Sequence, residues 1–228
     1  MTSLQSALDA FRLEFTGKIP AEIAAAMARA DTALAASDLA QRALQAGSRA
    51  PAFTLPGADG AAVTLGAMLR QGPVVISFYR GGWCPYCNLE LRALQAVLPE
   101  IQARGAQLIA ISPELPDESL STRERNELAF PVLSDLGSRV AQSFGIAFDL
   151  AEELRPIYTR FGHALPDRNG SAANGGSGWV LPVPATFVLD GDGVVRMAFV
   201  DTDYRHRLEP SAILAALDGL ARTRSVAA

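Results

Sequence analysis

Cys84 and Cys87 are the only two cysteines in the 228-residue chain. They stand three apart in Gly81-Gly82-Trp83-Cys84-Pro85-Tyr86-Cys87, where the apolar run Val74 to Tyr79 gives way to helix-like sequence. Two thiols at that spacing, at a strand-to-helix junction, can cycle between dithiol and disulfide. Cys84 falls at the helix N-terminus, where unpaired amides and the macrodipole favour a thiolate. Pro85 suits the first helical position, whose N–H would have no partner in any case. Cys87 follows one turn later on the same face, placed to close a disulfide once Cys84 has reacted. Cys84 is therefore read as the nucleophile and Cys87 as the resolving thiol. The thiolate can attack a peroxide, giving a sulfenic acid, or a disulfide, giving a mixed disulfide. An external thiol, thioredoxin or glutathione, must then restore the dithiol. Only His163 and His206 could join the cysteines around a metal, and neither lies at a finger-like spacing. No metal and no bound cofactor are expected.

Several neighbours could support this chemistry. Arg80, four before Cys84, could hold its thiolate or polarise a peroxide oxygen. Trp83 and Tyr86 are expected to flank the cysteines and exclude water or receive a partner. Glu90 could accept the proton of Cys87, but reads more simply as part of a solvated helix face. Thr186 reads as an ordinary strand residue, and His163 and His206 as surface residues. Asp201, Asp203, Arg205 and Arg207 read as a solvated charged approach to the last helix.

The elements that must position these residues follow from periodicity. Residues 1–47 read as helices only: Leu4, Leu8, Phe11 and Phe15 recur at helical spacing, Pro20 opens a second helix from Ala21 to Arg29, and Ser37 can cap a third over Asp38 to Leu44. This extension is expected to pack on the main domain or on a second subunit in a homodimer. Residues 48–228 then alternate strand and helix. Short strands at Ala52 to Pro56 and Val63 to Leu65 precede the buried strand Val74 to Tyr79. A helix carries Leu89, Leu91, Leu94, Val97, Leu98 and Ile101 up to Gly105. A strand at Leu108 to Ser112 follows, then a helix over Glu118 to Leu128 and a strand at Pro131 to Leu133. Helices are expected at Gly137 to Phe144 and Ala151 to Phe161, and a loop at Pro166 to Gly178. Val183 to Leu189 and Val194 to Val200 form a hairpin around Asp190-Gly191-Asp192-Gly193, and Pro210 to Leu220 is the closing helix. This order predicts an α/β fold with a central mixed sheet flanked by helices.

The cysteine segment, together with Pro184-Ala185-Thr186-Phe187-Val188-Leu189-Asp190 before the hairpin, resembles the thioredoxin fold. More narrowly, Ala50-Pro51-Ala52-Phe53-Thr54-Leu55-Pro56, Ile111-Ser112-Pro113 and Phe130-Pro131-Val132-Leu133-Ser134-Asp135 resemble the peroxiredoxin-like branch of the alkyl hydroperoxide reductase/thiol-specific antioxidant (AhpC/TSA) family, over roughly residues 48 to 220. The resemblance implies a thioredoxin-like domain and an antioxidant thiol peroxidase. Two places depart from the family pattern. Its Thr or Ser three before the reactive cysteine is Gly81 here, and its proline seven before is Ser77. Where peroxiredoxins commonly carry an arginine, this chain has Pro184, which resembles the cis-proline facing the dithiol in thioredoxins. Cys84-Pro85-Tyr86-Cys87 is also the tetrapeptide of glutaredoxins.

A net charge of −4 excludes a basic nucleic-acid surface, and an apolar fraction of 49% with 19% charged residues is ordinary globular composition. No apolar run approaches the ~18 residues of a membrane span, and Met1-Thr2-Ser3-Leu4-Gln5 does not open like a signal peptide, so a cytoplasmic protein is expected. Three functions are consistent with these features. The leading one reduces hydrogen peroxide or organic hydroperoxides through Cys84 and Cys87. A second exchanges disulfides on proteins or small thiols. The third is a redox-sensing interaction module built on the N-terminal helices.

Overall fold

The computed structural model describes residues 3–171 and 175–227. A five-stranded sheet organises the chain, in the order β5 (Val132–Ser134), β4 (Gln107–Ser112), β3 (Val74–Phe78), β8 (Ala185–Leu189) and β9 (Val195–Val200). β3, β4 and β5 run parallel, while β8 and β9 are antiparallel additions. All five residues of β3 are buried, and alternation decides which face each one serves. Val75 packs with Leu108, Ala110 and Val188 on one face of the sheet. Val74, Ile76 and Phe78 pack with Ile109, Ile111 and Phe187 on the other. Each face therefore needs its own cover. The first receives α5 (Pro85–Ala96), α6 (Leu98–Ala103) and α11 (Pro210–Ala227) through Leu91, Leu94, Leu98, Ile101, Ile213 and Leu217. The second is closed by α4 (Leu65–Leu69) and α8 (Arg139–Ser143), with Leu65, Met68, Val140 and the nearby Phe144.

The N-terminal helices lie against their own chain. α1 (Leu4–Thr16) packs on α5, with Leu4 and Leu8 buried among Leu91 and Leu94. Phe11 meets the Tyr86 ring edge-on at 5.0 Å. The start of α1 is tied down by Glu209, whose carboxylate accepts from the Leu4 and Gln5 amides at 3.2 and 2.8 Å. α2 (Ala21–Ala35) runs past the expected Arg29 and packs Ala26 against Leu150 and Leu154. α3 is only the turn Leu39–Arg42.

Other boundaries differ for local reasons. β1 is Thr54–Pro56 and β2 is Ala62–Thr64, because Leu65 already turns into α4. Pro99 splits the long helix into α5 and α6: it cannot donate a helical hydrogen bond, and the chain pivots at Val97. α7 is Pro116–Arg125, opened by its proline. The expected helix at Gly137 starts only at Arg139, because Gly137 sits at φ 75 and Ser138 at φ 55. The expected helix over Ala151 to Phe161 is a 3-10 turn at Glu152–Leu154 followed by α9 (Arg155–Arg160). Two strands escaped the sequence reading: β6 (Ala147–Asp149) and β7 (Val180–Pro182) pair antiparallel. Three residues each is too short for period-two alternation to register. Between them, the segment expected as a loop begins with the short helix α10 (Leu165–Arg168). Asn169 Nδ2 donates to the Gly178 carbonyl at 2.7 Å, and residues 172–174 of that loop lie outside the described residues. Among the described residues no helix is long and apolar enough to cross a membrane.

Candidate active site at the start of α5

β3 delivers the site. Beyond Phe78 the Tyr79 amide still donates to the Ile111 carbonyl at 2.9 Å, so the chain leaves the sheet extended. It then turns through Gly81, at φ +145, a conformation open mainly to glycine. A Cβ built there would overlap the Trp83 indole nitrogen and lie 2.9 Å from the Glu114 carboxyl carbon. At Gly82 a Cβ would overlap the Thr122 hydroxyl. The backbone is pinned as well: the Gly82 amide donates to Glu114 Oε2 at 2.7 Å, and Asn88 Nδ2 donates to the Gly82 carbonyl at 2.9 Å. Glu114 is fully buried, and burial raises its carboxyl pKa against the pull of the Gly82 amide and of Arg168, which donates to Oε1 at 2.8 Å.

Cys84 is the N-cap of α5 and Pro85 its first residue, as the spacing predicts. Cys87 completes the first turn. Both thiols are free and buried, at 2% and 0% exposure. Their electrostatics separate them. Burial by itself pushes the Cys84 thiol up, but the hydrogen bond to Cys87 and the charges of Arg80 and Arg207 outweigh it and hold it at about 6. Cys87 moves the other way, raised by burial, by its hydrogen bond to Cys84 and by the Cys84 charge, with Arg207 opposing. The pair is thus biased toward a thiolate at Cys84 and a thiol at Cys87.

Arg80 is a buried cation at 3% exposure, and it has no carboxylate partner among the described residues. Aromatic faces replace one. Its guanidinium carbon lies 4.6, 5.0 and 5.7 Å from the ring centroids of Tyr204, Trp83 and Tyr158, and Nη2 donates to the Tyr158 hydroxyl at 2.6 Å. Desolvated contacts of this kind contribute about 2 kcal/mol. Trp83 is half-buried, packed edge-on to Tyr158 at 5.4 Å and against His163 at 5.3 Å. His163 is therefore part of this aromatic cluster rather than a surface residue, because β6 and β7 fold the segment between them back over the cysteine loop. Tyr86 is buried between Phe11 and Tyr204, at 5.0 and 5.6 Å.

Glu90 and Arg207 also correct the sequence reading, since neither is solvated. Arg207 Nε donates to Glu90 Oε2 at 2.6 Å, both side chains are at most 2% exposed, and Arg207 Nη2 lies 3.7 Å from Cys87 Sγ. Arg207 Nη1 donates to the Tyr204 and His206 carbonyls. Burial raises the Glu90 carboxyl to about 7 despite the Arg207 charge. The sequence does carry a signal for Glu90. Cys87, Glu90, Leu91 and Leu94 stand at i, i+3, i+4 and i+7, so Glu90 shares the buried stripe of α5. Arg207 offers no such signal, because it returns from 120 residues away. Glu114, Tyr158 and Tyr204 are likewise brought in by tertiary packing alone.

The remaining assignments are mixed. Thr186 sits in β8, opposite Ser77 of β3. His206 is exposed, with Nδ1 3.0 Å from Asp201 Oδ2. Asp203 and Arg205 are half-buried and paired, and Arg205 also reaches Asp31 at 2.9 Å. Pro184 is buried one residue before Ala185, which faces Phe78, so it lies beside the strand end that leads to the cysteines. Its peptide bond is trans, against the expectation of a cis-proline. The chain runs extended from β7 into β8, with the Val183 amide on the Ile146 carbonyl, and makes no tight turn there.

Comparison with known proteins agrees with this arrangement. The profile described as the AhpC/TSA family matches residues 46–198. A chloroplastic peroxiredoxin Q of Suaeda salsa is 31% identical over 153 residues, which is 67% of this chain and 58% of that protein. The chloroplastic peroxiredoxin Q of Oryza sativa subsp. japonica is 30% identical over the same coverage. The match thus spans less than two thirds of the length of these relatives. Among solved structures, a peroxidoxin of Mycobacterium tuberculosis superposes with a TM-score of 0.60 at 23% identity, covering 78% of this chain and 98% of that one. Peroxiredoxin Q of Xanthomonas campestris does so at 0.53 and 22%, covering 73% and 90%. At such identities these structures speak for the fold, a thioredoxin-like mixed sheet flanked by helices. α1 and α2 precede the matched region.

Proposed function

The chain belongs to the AhpC/TSA family, and from that premise we propose that it is a thiol peroxidase that reduces hydrogen peroxide or organic hydroperoxides through Cys84 and Cys87. The observation that carries this reading is the asymmetry of the pair, a Cys84 thiol held at about 6 beside a Cys87 thiol pushed up. In the first step the Cys84 thiolate attacks the distal oxygen of R–O–O–H. The S–O bond forms as the O–O bond breaks, and the leaving alkoxide takes a proton to become ROH, or water when the substrate is hydrogen peroxide. Cys84 is then a sulfenic acid. Cys87 attacks that sulfur, closing the Cys84–Cys87 disulfide and releasing water. Two equivalents of an external thiol, of thioredoxin or glutathione type, return the dithiol. Arg80 and Arg207 stabilise the thiolate that starts the cycle.

Disulfide exchange is the second reading, and Gly81 favours it: where the family pattern has a hydroxyl, a side chain would collide with Trp83 and Glu114. Burial argues for the peroxidase. Cys84 at 2% exposure is accessible to a small peroxide far more readily than to a protein disulfide. A cytoplasmic setting fits a resting dithiol, since reducing compartments keep such pairs open.

The test is stopped-flow mixing of reduced protein with hydrogen peroxide, following Trp83 emission in a Trp179→Phe background with Cys84→Ser as control. A fast phase that disappears in the control is expected. A rate no better than that of a free thiol would refute the peroxidase and leave disulfide exchange.

A further inference from the structure

Arg207 is fixed at every nitrogen. Nε donates to Glu90 Oε2 at 2.6 Å, Nη1 to the Tyr204 and His206 carbonyls, and Nη2 to Cys87 Sγ at 3.7 Å. Its side chain is 1% exposed and that of Glu90 2%. A guanidinium held in this way cannot turn to another partner without leaving buried donors unmet, so its charge stays against the Cys87 sulfur. The two cations of the site divide the thiols between them. The charge of Arg80 acts more on Cys84 than on Cys87, and that of Arg207 more on Cys87 than on Cys84. Cys87 also faces Cys84 and Glu90 on its own helix, and Tyr79 just beyond β3. The Tyr79 phenol keeps its proton, through burial first and then the charges of Glu114 and Cys87.

Resting on the peroxidase reading, we propose that Arg207 is the catalytic cation of the second step, stabilising the Cys87 thiolate that attacks the Cys84 sulfenic acid, and that Glu90 is the positioning residue that holds it there. In the reduced protein Cys87 keeps its proton, because burial, and then the hydrogen bond and negative charge of Cys84, outweigh Arg207. Reaction with peroxide removes both Cys84 contributions at once. The Cys84 thiolate becomes a neutral sulfenic acid, and Arg207, 3.7 Å from the Cys87 sulfur, no longer competes with an anion beside it. Cys87 then gives up its proton and attacks the Cys84 sulfur. The S–S bond forms, the S–O bond breaks, and the departing hydroxide takes up a proton as water. Cys87 is oxidised and the Cys84 sulfur reduced. Charge thereby sets the order of events, holding Cys87 back until Cys84 has reacted. Glu90 sets the strength of the effect: its carboxylate balances part of the Arg207 charge, so the pair supports a thiolate less than a bare cation would.

The experiment reads Cys87 in two ways. The first is ultraviolet titration of the Cys87 thiolate in a Cys84→Ser background, where a neutral hydroxyl stands in for the sulfenic acid. Arg207→Met should raise the midpoint by about 1–3 units, and Glu90→Gln, which unmasks the cation, should lower it. Loosened packing does not produce opposite shifts from the two partners of one ion pair. The second is stopped-flow emission after a peroxide pulse, with Cys84 in place, where resolution is the phase whose rate is independent of peroxide concentration. At pH 7 that phase should slow by about tenfold or more in Arg207→Met, since each unit costs about tenfold in thiolate, and recover as pH rises. The peroxide-dependent phase, with Arg80 in place, should fall less, and Glu90→Gln should resolve faster than wild type. An unmoved Cys87 midpoint, a resolution phase unchanged in Arg207→Met, or shifts of one sign in both variants would overturn the assignment. If no peroxide reacts faster than with a free thiol, the peroxidase reading fails. The titration then decides the role of Arg207, together with Cys84 loaded from dipyridyl disulfide, where Cys87 attack on the mixed disulfide releases a second pyridinethione. The same order of rates among the variants supports the assignment, and equal rates overturn it. Should Arg207→Met fail to fold, Glu90→Gln/Arg207→Met, which leaves neither charge buried alone, replaces it. A higher midpoint and slower resolution than wild type are then expected, and no change overturns the assignment.

Discussion

Arg80→Met should uncouple the Cys84 thiolate from its main cationic support while leaving an unbranched side chain among the three rings. In the native protein Cys84 titrates at about 6, so roughly nine tenths of it is thiolate at pH 7. An opposite charge at close range depresses a pKa by about 1–3 units. Arg207 and the Cys87 hydrogen bond persist in the variant, so the lower part of that range applies. The midpoint is expected to rise by about 1–2 units, and the thiolate fraction at pH 7 to fall to between about one half and one tenth. The direction follows from the charge: without the cation the anionic form is less stable, so deprotonation is delayed to higher pH. Titration of thiolate ultraviolet absorbance, with Cys84→Ser subtracted, reads the midpoint directly. Peroxide reactivity should fall below pH 7 and recover above about pH 9, where both proteins are ionised. A midpoint that stays at about 6, or a loss of reactivity equal at every pH, would refute the assignment of Arg80 to the thiolate. Removing the cation–π contacts should also cost about 2 kcal/mol, a fall in Tm of roughly 4–8 °C for a chain of this size.

Arg207→Met removes the partner of a buried carboxylate, a change that costs about 3–5 kcal/mol when the remaining charge cannot be neutralised. Glu90 can be neutralised. Its folded carboxyl lies above its ordinary 4.5, at about 7, so its contribution to stability is fully present below pH 4.5 and is lost as pH rises through about 7. The variant should therefore lose more stability at pH 8 than at pH 5 in urea melts, and equal losses at the two pH values would contradict the buried ion pair. Leu8→Ala opens a hole between α1 and α5, where Leu8 is fully buried. A loss of about 2–5 kcal/mol is expected in denaturant melts, and a loss below about 0.5 kcal/mol, typical of surface sites, would mean that α1 does not hold to α5 in solution.

Much of this molecule is written locally. The thiol pair, its helix start and Pro85 are adjacent in sequence, so spacing alone placed Cys84 at the N-cap of α5 and Cys87 one turn on. The strands β3, β4 and β8 are long enough for apolar character to mark them, and the stripe Leu4, Leu8, Phe11 predicted the face that α1 buries. What stayed hidden is what packing assembles. Arg207 and Tyr204 arrive from the far end of the chain, Tyr158 from α9, and Glu114 from the turn after β4. A buried charge looks like a surface charge until its partner is known, which is why Arg207 read as solvated. Glu90 lay within reach of periodicity, but its charge outweighed its position in the helical stripe. The expectation for Pro184 failed differently, because it came from resemblance rather than from the residues flanking it.

The crowding at Gly81 has a consequence for how this loop can change over generations. A threonine there cannot be acquired by a lone substitution, since Trp83 and Glu114 already occupy the space its Cβ would need. Trimming Trp83 would relieve only part of the crowding, leaving the Glu114 carboxyl carbon and the φ +145 backbone in place, and it would also strip one aromatic face from Arg80. Positions 80, 81 and 83 are therefore mutually epistatic, and descendants of this chain would be expected to exchange them as a set or to keep all three.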